Sequence, residues 1–81
     1  MENLESKKSL LLEMRLEHNL LTSLDSAFLG FSKLQRLTLS YNLLQHISAE
    51  DFLGLENLEF LDISHNELRT LEDTSKVIFL Y

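Results

Sequence analysis

One apolar spacing, Leu-x-x-Leu-x-Leu-x-x-Asn-x-Leu-x-x-Leu, is written three times in this chain, and a short unit repeated in tandem folds by stacking on its own copies. The copies run Leu11, Met14, Leu16, Asn19, Leu21, Leu24; then Leu34, Leu37, Leu39, Asn42, Leu44, Ile47; then Leu58, Leu61, Ile63, Asn66, Leu68, Leu71. Their asparagines are 23 and 24 residues apart. Such a period, with apolar positions that follow neither the helical repeat nor plain alternation, excludes a helical bundle and a lone hairpin. In the first two units a second motif follows, Phe28-Leu29-Gly30-Phe31 and Phe52-Leu53-Gly54-Leu55.

Within one unit, Met14 and Leu16 alternate with Glu13, Arg15 and Glu17, which predicts a short strand with one face inward and one outward. The chain must then bend without a regular partner. Asparagine suits that place because it tolerates unusual backbone angles and carries both donor and acceptor groups. Stacked asparagines can satisfy turn amides and carbonyls that would otherwise be buried alone. Leu21, Leu24, Phe28 and Phe31 are then expected to return into the same interior. A single unit leaves apolar faces above and below, so only stacking closes the core.

These residues resemble the leucine-rich repeat family, in its phenylalanine-bearing class of about 24 residues, from Leu11 to about Leu71. The resemblance implies an α/β-type solenoid of about three coils, with a short parallel β-sheet on the concave face and a mostly irregular or short-helical convex side. It implies a ladder of Asn19, Asn42 and Asn66 at the bend and a spine of Phe28 and Phe52 on the convex side. The chain divides accordingly into a polar N-terminal lead-in or cap at 1–10 and repeats at 11–33, 34–57 and 58–81. The last is degenerate from about residue 72, where Lys76 stands at the spine position and Val77-Ile78-Phe79-Leu80-Tyr81 could finish the coil, pair elsewhere or be an ill-fitting end left by truncation. The pattern is similar to the ectodomains of Toll-type receptors and of adhesion proteins. It implies a protein-recognition scaffold, in signalling or cell adhesion, belonging to a larger extracellular or receptor protein. The family does not itself specify the partner.

Length and composition narrow the function further. A chain of 81 residues is one small domain that buries only about 60% of its unfolded surface. There is no cysteine, although extracellular members of the class commonly seal the solenoid ends with cysteine-rich caps. The first residues are broken by Glu2, Glu5, Lys7 and Lys8 and do not make a secretory signal. No asparagine is followed two residues later by Ser or Thr. Taken as written, the chain is a cytoplasmic, stand-alone adaptor; as a fragment, it is a slice of an extracellular or membrane-anchored parent, which is the preferred reading because missing caps leave apolar faces bare. A structural spacer without a ligand is the remaining alternative.

Net charge of −6 argues against a nucleic-acid or anionic-membrane surface, which needs clustered Lys and Arg. Asp25, Glu50, Asp51, Glu72 and Asp73 collect on the rim after each unit's first half. They read first as a solvated rim and second as a cation or basic-partner site. No cysteine nucleophile, glycine-rich phosphate loop or marked Ser-His-acid set occurs, so neither enzyme nor cofactor is expected.

A binding role then falls to the outward strand positions, which stacking lines into columns: Glu13, Arg36, Phe60; Arg15, Thr38, Asp62; Glu17, Ser40, Ser64; and His18, Tyr41, His65. Candidate contacts on the concave face are Arg15, His18, Arg36, Tyr41, Phe60, Asp62 and His65. Phe60 is either an apolar anchor at a water-facing position or a ring packed on Arg36. His18 and His65 stand two strands apart, too few and too far for zinc. Three strands give a floor of only about 250 Å², against about 800 Å² per partner in a stable interface. The segment is therefore expected to serve within a longer curved surface or to bind weakly, with self-association through uncapped ends as a further possibility.

Overall fold

The computed structural model of the protein describes residues 7–68 and 70–71; the expectations for Glu72, Asp73, Lys76 and the segment 77–81 lie outside these. Five short strands occur among them, β1 (Glu13–Arg15), β2 (Arg36–Thr38), β3 (His46–Ile47), β4 (Phe60–Asp62) and β5 (Thr70–Leu71). β1, β2 and β4 form one parallel sheet in that order, and β3 pairs with β5 in a second. The register sets Glu13 beside Arg36 beside Phe60, Met14 beside Leu37 beside Leu61, and Arg15 beside Thr38 beside Asp62. Equivalent residues of successive units are thus direct neighbours.

The same hydrogen bonds recur on either side of each strand. Gln35 and Arg36 both donate their N–H to the carbonyl of Leu12, and Glu59 and Phe60 do so to that of Gln35. Past the strands, Leu16 and His18 donate to Thr38 and Ser40, and Leu39 and Tyr41 to Asp62 and Ser64. Parallel pairing of strands this short is weak alone, and the bend that follows secures it.

At that bend the unusual backbone angle falls on the residue before the asparagine. His18, Tyr41 and His65 have φ of 59°, 56° and 55°. The asparagine itself keeps an ordinary φ and ties the bend with its side chain. Asn42 Nδ2 lies 2.9 Å from the Leu39 carbonyl and 3.2 Å from that of Ser40, and also 2.9 Å from the Leu16 carbonyl of the preceding unit. Its Oδ1 accepts the N–H of Leu21, again from the preceding unit, at 3.1 Å. Asn66 repeats the set on Ile63, Ser64 and Leu39, and accepts from Leu44 at 3.0 Å. Asn19 bonds back to Leu16 and Glu17, but its Oδ1 has no donor among the described residues. Asn42 is consequently buried, at 4% exposure, while Asn19 is exposed.

The core gathers Leu24, Phe28, Leu34, Leu37, Leu39, Leu44, Ile47, Phe52, Leu61 and Ile63. Phe28 and Phe52 are both buried on the returning side of the chain. Phe52 closes a 3₁₀ turn, Ala49–Phe52, entered through Ser48, whose N–H donates to the Asp51 carboxylate at 3.0 Å. Two residues on, Gly54 has φ of 98° and lies so close to the preceding unit that a Cβ there would stand 2.8 Å from the Phe28 carbonyl oxygen and 2.9 Å from Leu29 Cα. Close approach of two backbones, more than the turn alone, demands glycine. At the N-terminal end the packing is incomplete: Leu11 is 43% exposed where its equivalent Leu34 is at 0%. Lys8 sits over the Phe31 ring, 5.6 Å from its centroid, and gives that end partial cover.

Asn42→Ala should destabilise the fold by about 1–3 kcal/mol, because it strands the Leu21 amide and the carbonyls of two units, whereas Asn19→Ala should cost less than about 1 kcal/mol. Equal costs in urea unfolding would show that bonding across units contributes nothing. Gly54→Ala should cost about 2 kcal/mol or more, from a left-handed φ combined with a backbone clash, and Phe52→Ala about 3–5 kcal/mol. Chemical denaturation at fixed concentration measures both.

Candidate functional site

The outward face of the β1-β2-β4 sheet brings the candidate residues into three clusters. In the first, the Arg36 guanidinium lies over the Phe60 ring, 4.4 Å from its centroid, and Phe60 is half-buried. The ring thus packs on its strand neighbour. A guanidinium held against a ring face keeps a defined orientation while its outer edge stays in water.

Polar side chains form the second cluster. Arg15 Nε donates to Glu13 Oε2 at 3.0 Å. The ion pair therefore runs along β1 and not across the columns. Residues two apart on a strand share a face, and both side chains are solvated, so the pair contributes little to stability. It holds the Arg15 guanidinium above its usual pKa. Thr38 Oγ1 donates to Glu17 Oε2, which holds that carboxyl below the usual range. Asp62 Oδ1 accepts the Ser64 hydroxyl at 2.6 Å and the Ser64 N–H at 2.9 Å. Those two bonds, with His65 nearby, depress the Asp62 pKa despite some burial.

The third cluster is the row His18, Tyr41, His65. Their rings stack face to face, with centroids 4.5 Å apart and 12° between planes for the first pair, and 4.3 Å and 9° for the second. Three successive left-handed residues send their side chains out in the same direction, and strand spacing of about 4.8 Å is close to the thickness of stacked rings. The sequence marks this row as a column. It does not show the stacking, because nothing in His-Asn or Tyr-Asn announces a positive φ at the first residue. Tyr41 fills the space between His18 and His65. Among the described residues no group of three or more His, Asp or Glu is placed to hold a metal ion.

Two features had no clear sequence signal. The β3–β5 ladder sets His46 beside Thr70 and Ile47 beside Leu71, and two residues are too few for alternation to reveal a strand. On the rim, Asp25 accepts from the Ser23 hydroxyl at 2.9 Å and Asp51 holds the 3₁₀ turn, so both acids have local bonding roles; Glu50 meets Ser26 through its backbone carbonyl alone.

Since the Asp62 pKa in the folded chain lies below its ordinary value, the bonds from Ser64 stabilise the fold above pH of about 4 and lose that contribution as pH falls through the folded value. Ser64→Ala should raise the Asp62 midpoint, read from its carboxyl carbon by NMR titration. An unmoved midpoint would remove the hydroxyl from this account.

The model for the leucine rich repeat family matches residues 9–68. Among curated proteins, the chain is 50% identical over 52 residues to Tsukushi-A of Xenopus laevis, covering 64% of this chain and 14% of that protein. It is 40% identical over 67 residues to leucine-rich repeat serine/threonine-protein kinase 1 of Mus musculus, covering 78% of this chain and 3% of that one. To Toll-like receptor 4 of Felis catus it is 47% identical over 47 residues, covering 58% and 6%. The chain thus spans a small part of the length of these relatives. No solved structure matches it. The repeat is in general a non-enzymatic module that binds other proteins, and no helix among the described residues is long and apolar enough to cross a membrane. A recurring parallel strand, an asparagine bonded across units, and a family match over residues 9–68 agree that the chain belongs to the leucine-rich repeat family.

Proposed function

We propose that the chain is a protein-recognition segment of a larger extracellular or receptor protein, a solenoid of about three coils (11–33, 34–57 and 58–81) whose concave face carries the partner contacts. The observation that carries this reading is the pre-ordered outward face: His18, Tyr41 and His65 in one stack, and Arg36 held over Phe60. Tyr and Arg are the side chains that most often dominate interfaces, and groups already fixed lose little entropy when a partner arrives. Arg15 and Asp62 border these clusters and would set charge preference more than affinity. The similarity to Toll-like receptor 4 supports a receptor parent. The absence of cysteine favours instead a stand-alone intracellular adaptor, which uses the same face.

Placing a photo-crosslinking phenylalanine analogue at position 41 or 60, and at Leu29 on the returning side as control, tests the face directly. In cells expressing the protein, a discrete adduct should form from 41 and 60 and weaken about tenfold with Arg36→Glu, a loss of about 1.4 kcal/mol. Equal adducts from position 29, or none from the sheet positions, would overturn the assignment.

A further inference from the structure

Tyr41 is an exposed ring closed on both faces by an imidazole. The centroids of His18 and His65 lie 4.5 and 4.3 Å from its own, with planes 12° and 9° from parallel, and 48% of the residue stays open to solvent. It belongs to the middle unit, so both neighbours are described residues. Histidine is the side chain whose charge ordinarily changes between about pH 5 and 8. The bend thus fixes two proton-binding groups against the residue of the face most suited to meet a partner.

Charged groups reach the row from each unit that packs on it. On one side Glu17 precedes His18, accepts the Thr38 hydroxyl and feels Arg15, which is itself bonded to Glu13. On the other, Asp62 accepts the Ser64 hydroxyl and feels His65. Glu67, two residues past His65, accepts from Gln45 at 3.5 Å. Arg36 is turned to the Phe60 ring. The hydroxyl bonds hold the Glu17 and Asp62 carboxyls below their usual range, so both stay ionised where imidazoles titrate. With neutral rings the row is bordered by these carboxylates; with protonated rings each carboxylate has an imidazolium beside it.

We propose that the row is a proton-operated charge switch: protonation of His18 and His65 moves the preference of the outward face from cationic toward anionic partner groups, and does so without unstacking the rings. A cation over a ring face is attracted to it. The two imidazoliums stand on opposite sides of Tyr41, about one Debye length apart at physiological salt, where their repulsion is small. Glu17 beside His18 and Asp62 beside His65 offset it further. The row therefore changes charge and keeps its shape, so the contact surface remains pre-ordered in both states. What a partner experiences rests on the recognition role of this face, whereas the switch is a property of the folded chain alone.

Relaxation of the Tyr41 ring protons by a cationic and by an anionic nitroxide of equal size reads the field at the row with no protein partner present. In the whole chain the ratio of the cationic to the anionic effect should fall at least about threefold between about pH 7.5 and 5.5, as two charges arrive within a Debye length. The Tyr41 ring shift should track the titrations of His18 and His65 and not that of His46, which stands in β3, and ring-to-ring Overhauser contacts should persist at the lower pH. His18→Asn combined with His65→Asn, a residue that also tolerates the left-handed angle, should keep the ratio nearly level while circular dichroism shows the fold intact. A level ratio in the wild type, an equal fall in the double variant, a Tyr41 shift that follows His46, or loss of the ring contacts in acid would each overturn the proposal. A missing adduct from positions 41 and 60 bears on the recognition role alone, so the two failures are distinct.

Discussion

A single side-chain amide, bonded to carbonyls in two successive units at once, is the interaction on which the rest of this structure depends. Asn42 reaches Leu16 in the unit before and Leu39 and Ser40 in its own, while its oxygen takes the Leu21 amide. Strands of three residues do not hold register by themselves. Once the amide clamps the bend, Leu39, Leu44 and Ile47 are carried to fixed depths, and each is fully buried. Asn19 shows the converse. With no donor to its oxygen among the described residues it stays exposed, and the leucines around it are only partly covered.

Because the amide reaches backward, each unit is completed by the next. The second unit finishes the bend of the first through Asn42, and the third finishes that of the second through Asn66. Stability in such an array is the sum of what each unit holds internally and what it gains from its neighbours. The close contact of Gly54 with Phe28 and Leu29 performs the same joining on the returning side of the chain. Bonds and packing thus repeat with the sequence, and an insertion is tolerated only where neither reaches. The spacing of 23 residues between the first two asparagines and 24 between the next shows that the loops between them absorb one residue without disturbing strand register.

Much of this was legible from residue order. Aligning the asparagines also aligns Glu13 with Arg36 and Phe60, and these are hydrogen-bonded neighbours in the sheet. Periodicity reports register whenever a unit repeats at nearly constant length. The sequence was silent where the outcome depends on rotamers or on a single backbone angle. The ion pair of Arg15 chose Glu13 along the strand over neighbours across it, a choice between contacts of nearly equal worth. The left-handed turn was expected at the asparagine and occurs one residue earlier, because the amide that bonds back to two carbonyls forces the preceding peptide to rotate. The ring stack of His18, Tyr41 and His65 follows from that displacement.

The hydrogen bonds between β1, β2 and β4 all lie across the strands, and hence along the direction in which units succeed one another. A tension applied along that direction would load them lengthwise, one rung after another, instead of shearing many together. Under force, a protein built this way lengthens by peeling, giving up one unit's worth of chain at each step and regaining it as the load relaxes.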